Sequence, residues 1–215
     1  MRNNYDTSRS RLVQEQLLPR GITDQSVIRA MQTVPRHLFV DDALHGQAYG
    51  DCALPIGEGQ TISQPYIVAL MTQALALSPS SKALEIGSGC GYQTAILSLI
   101  CEKVYTVERI KPLFIKARRN FDRLHYLNIL CKLDDGSMGW QEHAPYDAII
   151  VTAAGPQIPS ALTEQLADPG IMVLPVGEKH CQELIVVKKQ DGAVTHEVIE
   201  QVRFVRLIGE QGWQA

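Results

Sequence analysis

The amino-acid sequence predicts an α/β fold, with a mostly parallel sheet that ends in an antiparallel hairpin and with added N-terminal helices. From Lys82 onward, apolar β-type segments alternate with helical ones, which is typical of a parallel sheet with right-handed crossovers. Nearer the C-terminus, two β-rich stretches, 182–189 and 194–205, flank Asp191-Gly192. An Asp-Gly pair between such stretches favours a hairpin turn.

Two short amphipathic helices are predicted first. Leu12, Val13 and Leu17 share one face of the first helix, and the second begins at an Asp24 cap and ends before Pro35. We expect these helices to form a cap or lid over the rest of the chain.

Residues 41–62 contain four glycines, one proline and no clear period, which predicts an irregular connection. Long connections inside compact domains are often functional. Ser63 is then predicted to be the N-cap of a helix that starts near Pro65.

The remaining residues predict the sheet and its helices. Strands are expected at 82–87, 103–108, 128–133 and 147–152, and helices at 92–100, 111–124 and 159–167. A chain of 215 residues is short for two independent domains. We therefore predict one domain over 1–215, with an N-terminal helical cap and loop region at 1–78 and a sheet core at 79–215.

Charge and cysteine usage narrow the possible partners. A net charge of −3 provides no global basic field for a polyanion, so we expect no nucleic-acid partner, and the six arginines within 1–40 indicate a solvated helical face. Five scattered cysteines without a C-x-x-C pair argue against a disulfide framework and a structural zinc site. We therefore expect a reducing, cytoplasmic setting. No apolar run approaches the ~18 residues that are needed to cross a bilayer, so we expect no membrane partner.

The segment 84–91 reads Leu-Glu-Ile-Gly-Ser-Gly-Cys-Gly, and Glu108 follows 21 positions after Gly87. A strand that enters a loop with three glycines, followed by a helix, lets the backbone approach a ligand closely. An acid at the end of the next strand can accept hydrogen bonds from ribose hydroxyls. This combination predicts a site for a nucleotide-type cofactor.

The kind of cofactor follows from two positions. A dinucleotide fingerprint wants Gly or Ala at 92, where this chain has Tyr92. Glu85 adds a carboxylate that favours a cationic ligand over a diphosphate by Coulomb attraction. The E-x-G-x-G-x-G pattern and the later acid resemble the S-adenosylmethionine site of Rossmann-like methyltransferases. A glycine turn without function and another nucleotide cofactor remain the alternatives.

A second Asp-Gly pair, Asp135-Gly136, follows the third core strand. Ligands bind at the carboxyl ends of the strands in such sheets, so one carboxylate here can point across the cleft at an adenine amino group. A plain Asp-Gly turn explains the pair equally well.

The segment Gly59-Gln60-Thr61-Ile62-Ser63-Gln64-Pro65, with Leu54-Pro55-Ile56-Gly57 before it, resembles protein-L-isoaspartate (D-aspartate) O-methyltransferases. The likeness continues in family order through 30–40, 84–93, 104–109, 135–140, 144–152, 174–177 and 209–213. It therefore covers nearly all of the chain. The resemblance implies methyl transfer from S-adenosylmethionine to the α-carboxyl group of L-isoaspartyl residues in damaged proteins, as a repair step.

The resemblance also implies roles for single residues. Ser63 is in the position of the family's active-site serine. Thr61 and Ile62 are implied substrate-binding positions in the same loop, and Ile208 is one near the family's C-terminal contact. The implied cofactor positions are Glu85, Gly87, Gly89 and Gly91 for the methionine portion, Glu108 for the ribose, and Asp135 and Gly136 for the adenine. Two residues depart from the family pattern: Asp134 replaces a common glycine, and Arg206 replaces a proline of the terminal segment. Either departure can alter how that segment closes over the substrate.

The implied reaction does not require an acid–base pair in the site. A carboxylate with a pKa of about 3.9 is already ionised at neutral pH, so no general base is needed to make the nucleophile. We expect Ser63 to position this carboxylate by hydrogen bonding.

Other readings stay open on the sequence alone. A methyltransferase for a small-molecule or nucleic-acid acceptor is the first, although Asn-Pro-Pro-Tyr and a Pro-Cys nucleophile are missing. A catalytically silent adaptor is the second. The six histidines lack H-x-x-x-H and H-E-x-x-H spacing, so no metal site is predicted. We expect a monomer.

Overall fold

The structure is a computed structural model that describes residues 4–178 and 181–214. The N-terminal part begins with α1 (Asn4–Leu12), which continues through single turns of π and 3₁₀ helix to Arg20, and then α2 (Gln25–Thr33). The Asp24 carboxylate accepts hydrogen bonds from the backbone N–H groups of Ser26 and Val27 at 2.7 and 3.1 Å. The predicted cap of the second helix is thereby confirmed.

The connection after α2 is more regular than predicted. It contains 3₁₀ turns and then a small hairpin of β1 (Leu54–Gly57) and β2 (Gln60–Ile62), paired antiparallel. Glu58 and Gly59 turn the chain with positive φ angles of 54° and 67°. The prediction of an irregular segment was therefore wrong for this part, because strands of three and four residues are too short to show a period.

The helix α3 (Pro65–Ala74) starts as predicted, but its N-cap is Gln64 and no side chain caps it there. The prediction that Ser63 is the N-cap was wrong. Instead, the carboxylate of Asp51 accepts the backbone N–H of Tyr66 at 3.0 Å and the side-chain amide of Gln64 at 2.6 Å. An acid from the preceding connection thus satisfies the helix start, and the Ser63 side chain takes no part.

One seven-stranded sheet forms the core, in the order β5-β4-β3-β6-β7-β8-β9. Its strands are β3 (Lys82–Ile86), β4 (Lys103–Glu108), β5 (Ile129–Leu133), β6 (Tyr146–Val151), β7 (Leu166–Glu178), β8 (Cys181–Gln190) and β9 (Ala193–Val202). The helices between them are α4 (Tyr92–Ser98), α5 (Lys111–Leu124) and α6 (Ser160–Gln165). Strands β3 to β7 pair in parallel, and β8 and β9 add antiparallel. The predicted fold class is confirmed.

The terminal hairpin turns at Asp191 and Gly192, whose φ angles are 53° and 77°. This is the conformation that favours Asp-Gly in two-residue turns. Strand β9 ends at Val202, three residues earlier than predicted, so residues 203–205 leave the sheet and reach the site described below.

Side chains alternate across the central strands and bury both faces of the sheet. In β6, Ile149 and Val151 face one apolar cluster, whereas Ala148 and Ile150 face another. A third cluster joins α2 and the small hairpin to α4 through Tyr92 and other buried residues. Sheets covered on both sides require strands that are apolar throughout, which explains their near-continuous hydrophobic runs. In the part of the chain that is described, no helix is both long and apolar enough to span a bilayer.

Candidate active site

The strand order reverses between β4 and β6, on either side of β3. Ligands bind in the crevice that such a reversal opens at the carboxyl ends of the strands. A cavity of about 520 Å³ lies there, and its wall includes Gly87, Gly89, Glu108, Gly136 and the segment 203–208. Four predicted cofactor residues therefore meet in one cavity.

The glycine loop holds backbone conformations that other residues rarely adopt. The φ angles of Gly87, Gly89 and Gly91 are 91°, 54° and 92°. A Cβ atom on Gly87 would lie 2.6 Å from the Thr152 hydroxyl oxygen, and one on Gly91 would lie 2.5 Å from the Phe121 ring. Gly87 thus permits contact with the end of β6, whereas Gly91 packs the start of α4 on α5 and does not reach the cavity.

Glu108 connects the glycine loop to the end of β4. Its carboxylate accepts the backbone N–H of Gly89 at one oxygen and that of Ile110 at the other, both at 2.9 Å. The side chain is almost completely buried but borders the cavity. Because each carboxylate oxygen can accept two hydrogen bonds, both oxygens keep capacity for hydroxyl groups of a ligand.

Glu85 lies beneath the loop and not on the cavity wall. One oxygen accepts hydrogen bonds from the hydroxyls of Thr94 and Thr106, the latter at 2.9 Å, and the other has no partner among the described residues. Burial raises the pKa of Glu85 to about 8, although the two threonine donors oppose this shift. Because burial favours the neutral form of Glu85, its carboxyl group supplies less Coulomb attraction than the sequence predicts, and a direct cofactor contact of Glu85 stays a prediction.

Asp135 anchors the C-terminal segment. Its Oδ1 accepts the backbone N–H of Ser137 at 2.9 Å and the Ser137 hydroxyl at 2.8 Å, while Oδ2 accepts the backbone N–H of Glu210 at 2.7 Å. Gly136 borders the cavity, but Asp135 does not. The adenine contact predicted for Asp135 therefore stays a prediction, and the carboxylate has a clear structural role.

A second cavity of about 410 Å³ adjoins the first. Ser63 and Gln182 lie on its wall, and Thr61, Thr152 and residues 203–205 border both cavities. Ile62 lies in a small recess between Ser63 and the glycine loop, and Ile208 borders the first cavity. Within the described ranges, the Ser63 hydroxyl has no hydrogen-bond partner. It is thus free to donate to a ligand in the second cavity.

Known proteins are similar to this chain over nearly its whole length. The sequence profile of the protein-L-isoaspartate(D-aspartate) O-methyltransferase family matches residues 7–212. A protein-L-isoaspartate O-methyltransferase from Geobacter metallireducens is 54% identical over 98% of both chains, and one from Desulfotalea psychrophila is 55% identical over 100% of both chains. The chain belongs to this family.

Solved structures of protein-L-isoaspartate O-methyltransferases agree with the fold. One has a TM-score of 0.87 and 29% identity, over 95% of this chain and 67% of its own. A second, from Plasmodium falciparum and assigned to the same family, was solved in complex with S-adenosyl-L-homocysteine. It has a TM-score of 0.81 and 27% identity, over 96% of this chain and 99% of its own.

The two departures from the family pattern differ in their distance from the site. Asp134 is exposed and forms an ion pair of 2.7 Å with Lys132, which lowers the pKa of Asp134. Arg206 lies on the wall of the first cavity, and its guanidinium is 5.4 Å from the centre of the Trp213 ring. Arg206 thus keeps contact with the terminal segment by a cation–π interaction, where proline would restrict the backbone.

Sequence reasoning missed Thr152, a polar residue in both cavities. Its hydroxyl oxygen lies 3.0 and 2.6 Å from the carbonyl oxygens of Ile86 and Gly87, so it ties the end of β6 to the glycine loop. The available signal was a hydroxyl residue directly after the apolar strand at 147–151. No group of three or more metal-ligating side chains occurs in the described ranges, which exclude His180.

Proposed function

We propose that this chain transfers a methyl group from S-adenosyl-L-methionine to the α-carboxyl group of L-isoaspartyl residues in damaged proteins and peptides, which initiates their repair. The observation that carries the proposal is the junction of two cavities at Thr61 and Thr152, with the free Ser63 hydroxyl beside it. One cavity suits a cofactor and the other an acceptor. Family membership supports the identity of the acceptor.

The first cavity fits S-adenosylmethionine in size and in chemistry. A volume of about 520 Å³ is within the range that ligands of this size occupy. The backbone at Gly87 and Gly89 is open toward the methionine portion, Glu108 has lone pairs for the ribose hydroxyls, and Gly136 leaves room at the adenine end. Glu85, Gly91 and Asp135 support these residues from outside the cavity. When bound, the cofactor supplies an electrophilic methyl group on a sulfonium.

The second cavity would place the acceptor carboxylate at Ser63. The Ser63 hydroxyl donates a hydrogen bond that orients the carboxylate, which is ionised at neutral pH without a base. Thr61 and Ile62 shape the passage to the cofactor cavity, and Ile208 covers its far side. Holding two reactants in alignment and excluding water supply much of the rate of such a transfer.

We infer further that residues 1–215 act as one domain and as a monomer in the cytoplasm. A shared apolar cluster joins the N-terminal helices to α4 and to Leu113 of α5, which supports a single domain. All five cysteines are free, in keeping with a reducing compartment.

Labelled S-adenosylmethionine and a matched pair of peptides test the function. The pair has the same sequence, with isoaspartate in one peptide and aspartate in the other. We expect base-labile label on the isoaspartyl peptide alone. If neither peptide is labelled while calorimetry shows that the cofactor binds, the acceptor is a small molecule or a nucleic acid, or the chain is a silent adaptor.

A further inference from the structure

Arg36 is a buried cation without an acidic partner. Its side chain is 0% exposed, and no carboxylate of the described residues forms an ion pair with it. Burial lowers the pKa of Arg36, but an arginine stays protonated at neutral pH. A buried charge is costly unless something compensates it, so an uncompensated one requires an explanation.

The guanidinium donates hydrogen bonds to three carbonyl groups from separate parts of the N-terminal region. Its Nε donates to the carbonyl of Ala48 at 2.9 Å, and one terminal nitrogen, Nη2, donates to those of Cys52 and Ser63 at 3.3 and 2.8 Å. The group also lies 4.8 Å from the centre of the Tyr92 ring. Its strongest bond from Nη2 is therefore to the backbone of Ser63 itself.

The second terminal nitrogen, Nη1, is buried and has no hydrogen-bond partner among the described residues. The three carbonyl dipoles thus compensate the guanidinium only in part. The remaining positive charge lies on the group that is hydrogen-bonded to the Ser63 carbonyl, and the guanidinium itself is fully buried. Buried charges are screened far less than charges at the surface.

We propose that Arg36 is a positioning residue that holds the backbone of Ser63 and adds a buried positive charge, besides that of Arg203 on the cavity wall, that attracts the acceptor carboxylate to this position. The inference rests on the proposed function, because only an anionic acceptor benefits from this charge. The carboxylate loses its charge as it takes up the methyl group. Arg36 therefore stabilises the bound acceptor more than the transition state, so loss of its charge raises KM and does not by itself lower kcat.

Two neutral variants and one charged variant test the proposal. Arg36→Met removes charge and hydrogen bonds, Arg36→Gln keeps a hydrogen-bond donor without charge, and Arg36→Lys keeps the charge. Each is titrated with an isoaspartyl peptide and with the matching isoasparaginyl peptide, whose amide has nearly the same shape but no charge. Arg123→Met is the matched control, since Arg123 is a cation that donates to the Leu38 carbonyl of the same segment at 2.8 Å without contacting Ser63.

We expect both neutral variants to bind the isoaspartyl peptide about tenfold more weakly or worse, and the amide peptide within about twofold of wild type. Arg36→Lys should restore most of the difference between the two peptides, and Arg123→Met should leave it unchanged. Equal losses for both peptides in Arg36→Gln would overturn the proposal, because they indicate a structural role alone. Titration with S-adenosyl-L-homocysteine shows which variants are folded. If Arg36→Met is not folded, the comparison of the two peptides with Arg36→Gln decides the test.

The result is separable from the proposed function. Wild-type protein that fails to methylate the isoaspartyl peptide contradicts the proposed function. If the wild-type protein methylates this peptide but Arg36→Gln loses affinity equally for the isoaspartyl and the amide peptide, only the role of Arg36 is contradicted.

Discussion

The carboxylate of Glu108 accepts a hydrogen bond of 2.9 Å from the backbone N–H of Gly89, 19 residues earlier in the chain. The acid at the end of β4 therefore holds the glycine loop as well as bordering the cavity. A contact of this kind gives one side chain two functions, because the loop shape and the lone pairs for a ligand depend on the same carboxylate.

Replacing Glu108 by alanine should weaken binding of S-adenosyl-L-homocysteine by at least about tenfold, since a charged acceptor of two backbone N–H groups is lost. Calorimetry measures the affinity directly. Glu102→Ala is a suitable control, because Glu102 is an exposed acid at the other end of β4. Wild-type affinity in Glu108→Ala would remove this residue from the cofactor site.

Replacing Ser63 by alanine should leave cofactor affinity unchanged and lower turnover of an isoaspartyl peptide by more than about tenfold, because the hydroxyl that orients the carboxylate is lost. Steady-state kinetics with labelled cofactor test this. Ser80→Ala, in an exposed turn, should behave as wild type. Unchanged kinetics in Ser63→Ala would exclude the proposed role.

Glu85 should make stability depend on pH. Its pKa in the folded state is raised to about 8, above the ordinary 4.5, so the folded state binds more protons between these values than the unfolded state does. The free energy of unfolding should therefore fall as the pH rises from about 4.5 to about 8. Above and below this pH window, Glu85 does not change the free energy of unfolding further.

The variant Glu85→Gln isolates this effect, because an amide does not titrate. Relative to it, the wild-type protein should lose on the order of a few kcal/mol of stability between pH 5 and pH 8. Denaturant unfolding without cofactor, repeated across this range, gives the comparison. Parallel stability curves for the two proteins would show that Glu85 is ionised throughout.

Replacing Asp135 by alanine should detach the terminal segment, because the carboxylate holds the Glu210 backbone and caps the turn at Ser137. We expect a loss of about 1–2 kcal/mol of stability. Faster limited proteolysis near Trp213 should accompany it. Glu164, an exposed acid of α6 that lines neither cavity, provides the control Glu164→Ala, in which both measurements should match wild type.

Local patterns were sufficient to predict the larger part of the fold. The Asp24 cap, the turn at Asp191-Gly192 and the alternation of strands and helices after Lys82 each depend on residues that are neighbours in sequence. The glycine loop was predictable for the same reason, since its positive φ angles require glycine at fixed spacing.

Partners that are distant in sequence account for the contacts that the sequence did not predict. The start of α3 is satisfied by Asp51 and not by Ser63, and Asp135 holds Glu210, 75 residues away. Neither pairing has a local signal. The charge state of Glu85 was also beyond a sequence pattern, because it depends on how completely the surrounding strands and helix bury the carboxyl group.

The sequence alone determined the fold class, the cofactor loop and the resemblance of the whole chain to one enzyme family. Only the tertiary structure decided which of the predicted residues border the two cavities, which support them from beneath, and that the fully buried Arg36 holds the backbone of Ser63. The physical reason is that residues close in sequence specify local backbone geometry. The charge state of a side chain and its access to a cavity depend instead on burial and on contacts between distant parts of the chain.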